Sequence, residues 1–248
     1  MATPLTPASP IPTPVRVLTT LLILFGLIIV GLFVPTSLRL WTWIAILLLL
    51  ALFVIVVGQG ITGRWLGVLI DDRHKMSLSR FQLVLWSVLL ISAFLATALT
   101  NLHLAKIPTQ ALNFNIPSEI LAILGISATS LTGAPLILNA FKPKDQIDKN
   151  GPGTDDPSGQ PSWFDMFKGD DTSNADYLDF GKTQLFYFTI ILVLVYGIAL
   201  GNMFMMVDSK HPTPILTFPP VNAQIVWLLG ISHAGYLGYK VAPHAPTS

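Results

Sequence analysis

The sequence predicts an all-α membrane protein with six transmembrane helices, and three observations lead to that prediction. Only 11% of the 248 residues are charged, against about 25% in soluble domains. Six apolar runs approach the ~20 residues that a helix needs to cross a bilayer. None of them alternates apolar and polar residues as barrel strands do, and lipid offers the backbone no hydrogen-bond partner. The predicted helices cover residues 17–34, 41–58, 83–100, 118–139, 185–206 and 223–241.

The first two runs form a predicted transmembrane hairpin, residues 17–60, after a disordered tail at residues 1–16. That tail is rich in Pro and Thr and lacks the apolar residues of a core. The first run is longer than the core of a signal peptide, and no small-x-small cleavage motif follows it. We therefore expect a retained helix rather than a cleaved signal.

The other four helices form two parallel two-helix repeats, residues 61–139 and 163–243. Before the third and the fifth helix the chain carries a Trp, an Asp-Asp pair and then a basic residue, any residue, Gln and Leu. Both outer loops contain Pro-Thr-x-x-Leu-x-Phe, ending at Phe114 and Phe218, and both following helices contain Leu-Gly-Ile-Ser. Because each repeat has an even number of helices, both copies point the same way across the membrane.

The distribution of basic residues predicts that both termini are cytoplasmic. Eleven of the 14 Lys and Arg residues then lie inside, which matches the excess of cytoplasmic positive charge in membrane proteins. The polar, Pro- and Gly-rich segment 140–162 is predicted to be a disordered cytoplasmic linker, and residues 244–248 a tail.

Small residues recur every four positions in the fourth and sixth helices, which is typical of closely packed membrane helices. The two stripes are predicted to meet each other or to face a neighbouring protomer. They consist of Gly125, Thr129 and Gly133, and of Gly230, Ala234 and Gly238.

His233 is the one strongly ionisable side chain well inside a predicted span. Such residues are candidates for function, here as a ligand, proton or gate residue, although a neutral imidazole also serves as a packing group. Its surroundings resemble the rhomboid intramembrane proteases, which have six helices, a Gly-x-Ser nucleophile on the fourth and a histidine base on the sixth. That resemblance implies a catalytic pair of Ser127 and His233, although the repeat also explains why both helices share one motif.

Polar residues at the cytoplasmic helix entries are further candidates for function. Four of them lie symmetrically at the start of the third and fifth helices: Arg80, Gln82, Lys182 and Gln184. They serve either as lipid-facing anchors or as a ligand site or gate. Four carboxylates are candidates for docking a partner: Asp71, Asp72, Asp170 and Asp171. The alternative is that these carboxylates, together with Asp179, cap the ends of helices.

The motifs Asp-Asp-Arg…Ser-Leu-Ser-Arg-x-Gln, Gly-Lys-x-Gln and Gly-Ile-Ser-His-Ala-Gly-Tyr-Leu resemble a pattern in bacterial multi-pass membrane proteins to which no activity is attached. The similarity covers roughly residues 61–243. It implies a location in the bacterial plasma (inner) membrane and no particular reaction.

These observations favour a non-enzymatic membrane component, which acts as an oligomeric anchor or scaffold for a cytoplasmic protein partner. An oligomeric channel or small transporter is the alternative, and a rhomboid-like protease is the second. No cofactor and no metal site is indicated, and the absence of Cys excludes thiolate chemistry. A net charge of +1 gives no indication of nucleic-acid binding.

Overall fold

The computed structural model describes residues 12–33, 36–104, 108–144, 146–150, 159–206 and 213–241, and these contain six long helices and no β-strand. The predicted all-α fold is therefore confirmed for this part of the chain. The long helices are α1 Thr13–Phe33, α2 Arg39–Thr62, α3 Leu78–Leu104, α4 Ser118–Phe141, α5 Phe180–Met205 and α6 Ala223–Val241. Short 3-10 helices lie at Thr36–Leu38, Gly67–Leu69, Pro108–Gln110 and Trp163–Phe167.

Five helices in the described ranges, α1 to α5, are long and apolar enough to cross a membrane. These five helices indicate a multi-pass membrane protein, and they coincide with five of the six predicted spans. The sixth span is a helix with the predicted bounds, but α6 is less apolar than the others because it contains Gln224, His233 and Lys240.

Most helix ends of α1 to α5 differ from the predicted bounds by one to five residues, and two of these ends have a clear local cause. The sequence predicts a disordered tail as far as residue 16, whereas α1 begins at Thr13. Pro14 lies in the first turn, where its missing N–H is not needed and its fixed φ suits a helix. Residues 1–11 and 242–248, which include the rest of the predicted tails, lie outside the described residues. At the other end of the hairpin, α2 stops at Gly63, whose φ of 73° favours glycine.

The chain divides into two compact units, and the boundaries fall within α3 and α5. Unit 1 comprises Met1–Val68, Val88–Asn115 and Ala199–Phe218, and unit 2 comprises Leu69–Ser87, Ile116–Ile198 and Pro219–Ser248.

Unit 1 contains the packed pair of α1 and α2. The indole N–H of Trp43 on α2 donates to the hydroxyl of Ser92 at 3.0 Å, and its ring stacks on Phe204 with 5.3 Å between centroids. Two loops of unit 1, before α4 and before α6, also meet, because the rings of Phe114 and Phe218 stack at 5.5 Å.

Unit 2 contains the packed pair of α4 and α6. A Cβ atom placed on Gly230 would lie 3.7 Å from Ile126, and one placed on Gly133 would lie 3.7 Å from Leu237. Both contacts join residues 104 positions apart (230 − 126 and 237 − 133). The two helices therefore run in the same direction.

The core of unit 2 joins one end of four helices. Its members lie near the starts of α3 and α5, near the ends of α4 and α6, and in the short helix before α5. They are Leu78, Leu185, Ala134, Tyr236 and Met166. The connecting segments of unit 2 are held at this same end, and they contain the candidate site.

Candidate functional site

Asp170 lies at the centre of a buried ion cluster in unit 2, which we call the Asp170 cluster. Its carboxylate accepts hydrogen bonds from the guanidinium of Arg73 at 2.7 Å, from the ammonium of Lys182 at 2.9 Å and from the ammonium of Lys240. The three cations come from the segment before α3, the first turn of α5 and the last turn of α6. One carboxylate thus ties three parts of the chain together.

The charges of the Asp170 cluster stabilise one another despite their burial. Burial alone would raise the pKa of the Asp170 carboxyl, but Lys182, Lys240 and Arg73 outweigh it and hold that pKa well below its usual value. Burial alone would likewise lower the pKa of the Arg73 guanidinium, but Asp170 and Asp71 outweigh it and raise that pKa. Both groups are therefore charged at neutral pH.

Asp71 orients Arg73 and closes the turn before α3. Its Oδ2 accepts from Nε and Nη2 of Arg73 at 3.0 and 2.8 Å, a bidentate pair. Its Oδ1 accepts from the backbone N–H groups of Arg73 and Lys75 at 3.0 and 3.2 Å. These bonds support His74 between them, whose φ of 60° is uncommon for a residue other than glycine.

The other predicted carboxylates have different surroundings. Asp171 pairs with Lys142 at 2.8 Å and accepts the Ser173 hydroxyl at 3.0 Å. Burial would raise the pKa of the Asp171 carboxyl, but these hydrogen bonds outweigh it and lower that pKa. Asp179 accepts a backbone N–H in the first turn of α5 at 3.0 Å, as a helix cap. Asp72 is the exposed member of the four docking candidates.

Part of the predicted disordered linker packs against the Asp170 cluster. Asp148 forms an ion pair with Lys75, and its backbone N–H donates to the carbonyl of Asp170 at 3.0 Å. The backbone N–H of Asn150 donates to the carbonyl of Arg73 at 3.1 Å. The composition of the linker does not predict these contacts, since their partners lie far away in the sequence. Residues 151–158 lie outside the described part of the chain.

A cavity of about 90 Å³ is lined partly by the Asp170 cluster. Arg73 and Lys240 contribute to its wall, together with two further cations, Arg80 and Lys149. Among the described residues, neither the Arg80 guanidinium nor the Lys149 ammonium has an ion-pair or hydrogen-bond partner. We call this space the basic cavity.

The four residues predicted to lie symmetrically at the helix entries have different partners. Arg80 lines the basic cavity, and Lys182 belongs to the Asp170 cluster. Gln82 is buried and its amide donates to a hydroxyl on α5 at 2.6 Å. The amide of Gln184 donates to a hydroxyl on α6 at 3.4 Å.

His233 and Ser127 are both buried, at 3% and 1% exposure. The Nδ1–H group of His233 donates to the carbonyl of Leu229 at 2.9 Å, one turn earlier in α6. Its Nε2 is buried without a hydrogen-bond partner among the described residues. The structure thus does not form the serine–histidine hydrogen bond on which a protease would depend.

The small-residue stripes lie only partly in the contact between α4 and α6. Gly133 and Gly230 face the other helix, as described above. Gly125 and Gly238 have no neighbouring atom within 4 Å of an added Cβ, and Thr129 and Ala234 are exposed. Most of each stripe is therefore exposed in the described part of the chain.

No protein-family model, curated protein or solved structure matches this chain. In the ranges that the structure describes, no three His, Asp or Glu side chains come together in a group that could hold a metal ion. The Asp170 cluster and the basic cavity together form the candidate functional site of unit 2.

Proposed function

We propose that this chain is a non-enzymatic integral membrane component that anchors or scaffolds a cytoplasmic protein partner. The observation that carries the proposal is the Asp170 cluster, which joins the segment before α3, the start of α5 and the end of α6. The pairs Asp171–Lys142 and Asp148–Lys75 add the end of α4 and the linker. Binding costs less when a surface is already ordered, so a fixed platform of this kind suits a docking role.

The same cluster argues against a carrier. Alternating access requires helices to move against one another. Removing one partner from a buried ion pair costs about 3–5 kcal/mol, because the other charge is left uncompensated. Movement of α5 or α6 away from Asp170 would incur such a cost.

We place the Asp170 cluster on the cytoplasmic side of a bacterial inner membrane. The support is the charge distribution, in which eleven of the 14 Lys and Arg residues lie in segments on that side. Asp72 is then the exposed carboxylate through which a basic surface on the partner would bind.

We further propose that the chain contains two parallel two-helix repeats. Phe114 and Phe218 end equivalent motifs in the two outer loops, and their rings stack at 5.5 Å. Equivalent residues meet in this way beside a twofold axis. The parallel packing of α4 and α6, the equivalent second helices, also supports the proposal.

Self-association is part of the proposed role. The exposed positions of the two stripes, Gly125, Thr129, Ala234 and Gly238, would let helices of a second copy approach closely. A homo-oligomer would present several copies of the platform to one partner or to several.

Site-specific photo-crosslinking in intact cells tests the anchor function. A crosslinker at Lys144 is expected to capture one discrete soluble protein, whereas a crosslinker at Gln110, on the predicted outer side of the membrane, captures none. The captured protein should be lost in Asp170→Asn, which disorders the platform, and retained in the control Glu119→Gln at the far end of α4.

Native mass spectrometry of the gently purified protein distinguishes the anchor from the channel alternative. A closed ring of four or more chains that contains no other protein and conducts ions in a planar bilayer would replace the anchor with the channel alternative. A monomer or dimer that retains the crosslinked protein supports the anchor.

A further inference from the structure

We propose that the basic cavity of unit 2 binds the phosphate group of a phospholipid. The cavity measures about 90 Å³, and one water needs only about 10–15 Å³ of such space. A tetrahedral phosphate with its ester oxygens therefore has room. This proposal concerns a lipid ligand and does not depend on the protein partner proposed above.

The uncommitted charges of the cavity favour an anion. Of the four cations in the wall, Arg73 and Lys240 are already paired within the Asp170 cluster. Arg80 and Lys149 remain without partners among the described residues. A planar guanidinium binds phosphate oxygens in a bidentate manner, and an ammonium adds a second positive charge.

Two carboxylates also line the cavity, and only one of them is uncommitted. Asp71 is neutralised by its bidentate pair with Arg73. Asp72 is exposed at the wall and has no partner in the described ranges. Two free cations therefore face one free carboxylate, and the balance is positive.

The position of the cavity along the helices matches the depth of lipid headgroups. Arg80 is the third residue of α3, Asn139 lies in the last turn of α4, and Lys240 lies in the last turn of α6. Membrane helices end where the hydrocarbon core gives way to the headgroup region. A phosphate in this cavity would lie at the level of the headgroups.

An apolar wall distinguishes a lipid from a free phosphate ion. Four cavity residues follow one side of α4 away from its end: Leu138, Pro135, Ala134 and Leu131. From Asn139 to Leu131 the helix rises about 12 Å at 1.5 Å per residue. A free ion would use only the charged end, whereas a phospholipid would also cover the apolar wall with its glycerol and first acyl carbons.

Native mass spectrometry of the delipidated, full-length protein in detergent tests the proposal with three probes. Phosphatidylglycerol is expected to bind with one tight site per chain, and diacylglycerol with the same acyl chains and inorganic phosphate are expected to bind far more weakly. The double variant Arg80→Gln/Lys149→Gln should weaken phosphatidylglycerol binding about tenfold or more, since it removes two charge-assisted contacts.

The matched control is Arg64→Gln/Lys144→Gln, which removes the same charges outside the cavity lining. This control should bind phosphatidylglycerol as the wild type does. The lipid should raise the Tm of the wild type and of the control, but not the Tm of Arg80→Gln/Lys149→Gln. Lys149 is exposed, so Lys149→Gln alone cannot act through loss of the core and should show part of the effect. Equal weakening in the control, equal binding of diacylglycerol, or tight binding of inorganic phosphate alone would each overturn the proposal.

Discussion

Asp170 shows how one side chain can determine the arrangement of several chain segments. A buried carboxylate is costly to desolvate and is stabilised only if its partners remain in place. Here three cations surround it, and they come from three different parts of the chain. Loss of this one carboxylate would therefore leave three buried cations without their common counter-charge.

Replacing Asp170 with Asn should destabilise the protein by about 3–5 kcal/mol, because three cations would lose their common counter-charge. Asp176→Asn is the control, since Asp176 is an exposed carboxylate on the same segment and should change the free energy of unfolding by less than about 0.5 kcal/mol. Denaturant titration of the purified protein in detergent measures both. Equal stability of the two variants would mean that the Asp170 cluster does not hold the fold.

The lowered pKa values of Asp170 and Asp171 predict a loss of stability in acid. An unfolded Asp has a pKa of about 3.9, so the contribution of both pairs is complete above about pH 5 and is lost as the pH falls through the folded values. The part of the Tm that these two carboxylates contribute should therefore be constant above about pH 5 and should fall below pH 4. Asp171→Asn should make the fall shallower, because it removes one of the two carboxylates with a lowered pKa.

The burial of Ser127 and His233 predicts that a serine-directed fluorophosphonate will not label the protein. The hydroxyl has no hydrogen-bonded base, because Nδ1 of His233 donates to Leu229 and Nε2 has no partner among the described residues. Labelling is read by intact-protein mass spectrometry, with a known serine hydrolase in the same sample as the positive control. Labelling that disappears in Ser127→Ala would revive the protease alternative.

The sequence identified some of these residues without their roles. Duplication of the Asp-Asp pair indicated Asp170, but its partners Arg73 and Lys240 lie 97 and 70 positions away. Pairing at such separations depends on how the helices pack, and a single sequence contains no record of it. The same reason explains why Arg80 and Lys182, which are equivalent in the proposed repeat, have different neighbours.

At the scale of the helices, glycine positions differ sharply in what they tolerate. A Cβ on Gly58 in α2 would lie 2.5 Å from the backbone nitrogen of Val68, whereas a Cβ on Gly125 in α4 meets no atom within 4 Å. Gly58→Ala should therefore lower the Tm strongly. Gly125→Ala should be neutral or stabilising, by up to about 1 kcal/mol from helix propensity.

Thermal unfolding followed by circular dichroism compares the two variants in one detergent. The prediction does not hold if Gly58→Ala is as stable as Gly125→Ala. In that case the turn after α2 must be able to move away from the helix.

Helices were more predictable than the segments between them. Long apolar runs have few alternatives in lipid, so six helices formed where six were expected, and α6 has the predicted bounds. Residues 146–150 were predicted as disordered from their composition, yet Asp148 pairs with Lys75. Contacts with residues far away in the sequence order such polar segments, and amino-acid composition contains no information about those contacts.

At the scale of the whole molecule, the predicted orientation can be tested directly because the chain contains no Cys. Single replacements Lys144→Cys and Gln110→Cys place one thiol at each predicted side of the membrane. In intact spheroplasts, a membrane-impermeant maleimide should label Gln110→Cys and should reach Lys144→Cys only after permeabilisation. The reverse pattern would move the Asp170 cluster outside the cell and exclude a cytoplasmic partner.

The order of residues in the Asp170 cluster has a consequence for biogenesis. The ribosome makes Arg73 first, then Asp170 and Lys182, and only later Lys240 in α6. The carboxylate therefore acquires its third counter-ion after the last of the six helices has been synthesised. A chain that stalls before α6 would expose an incomplete charge centre, which membrane proteases and chaperones could distinguish from the finished protein.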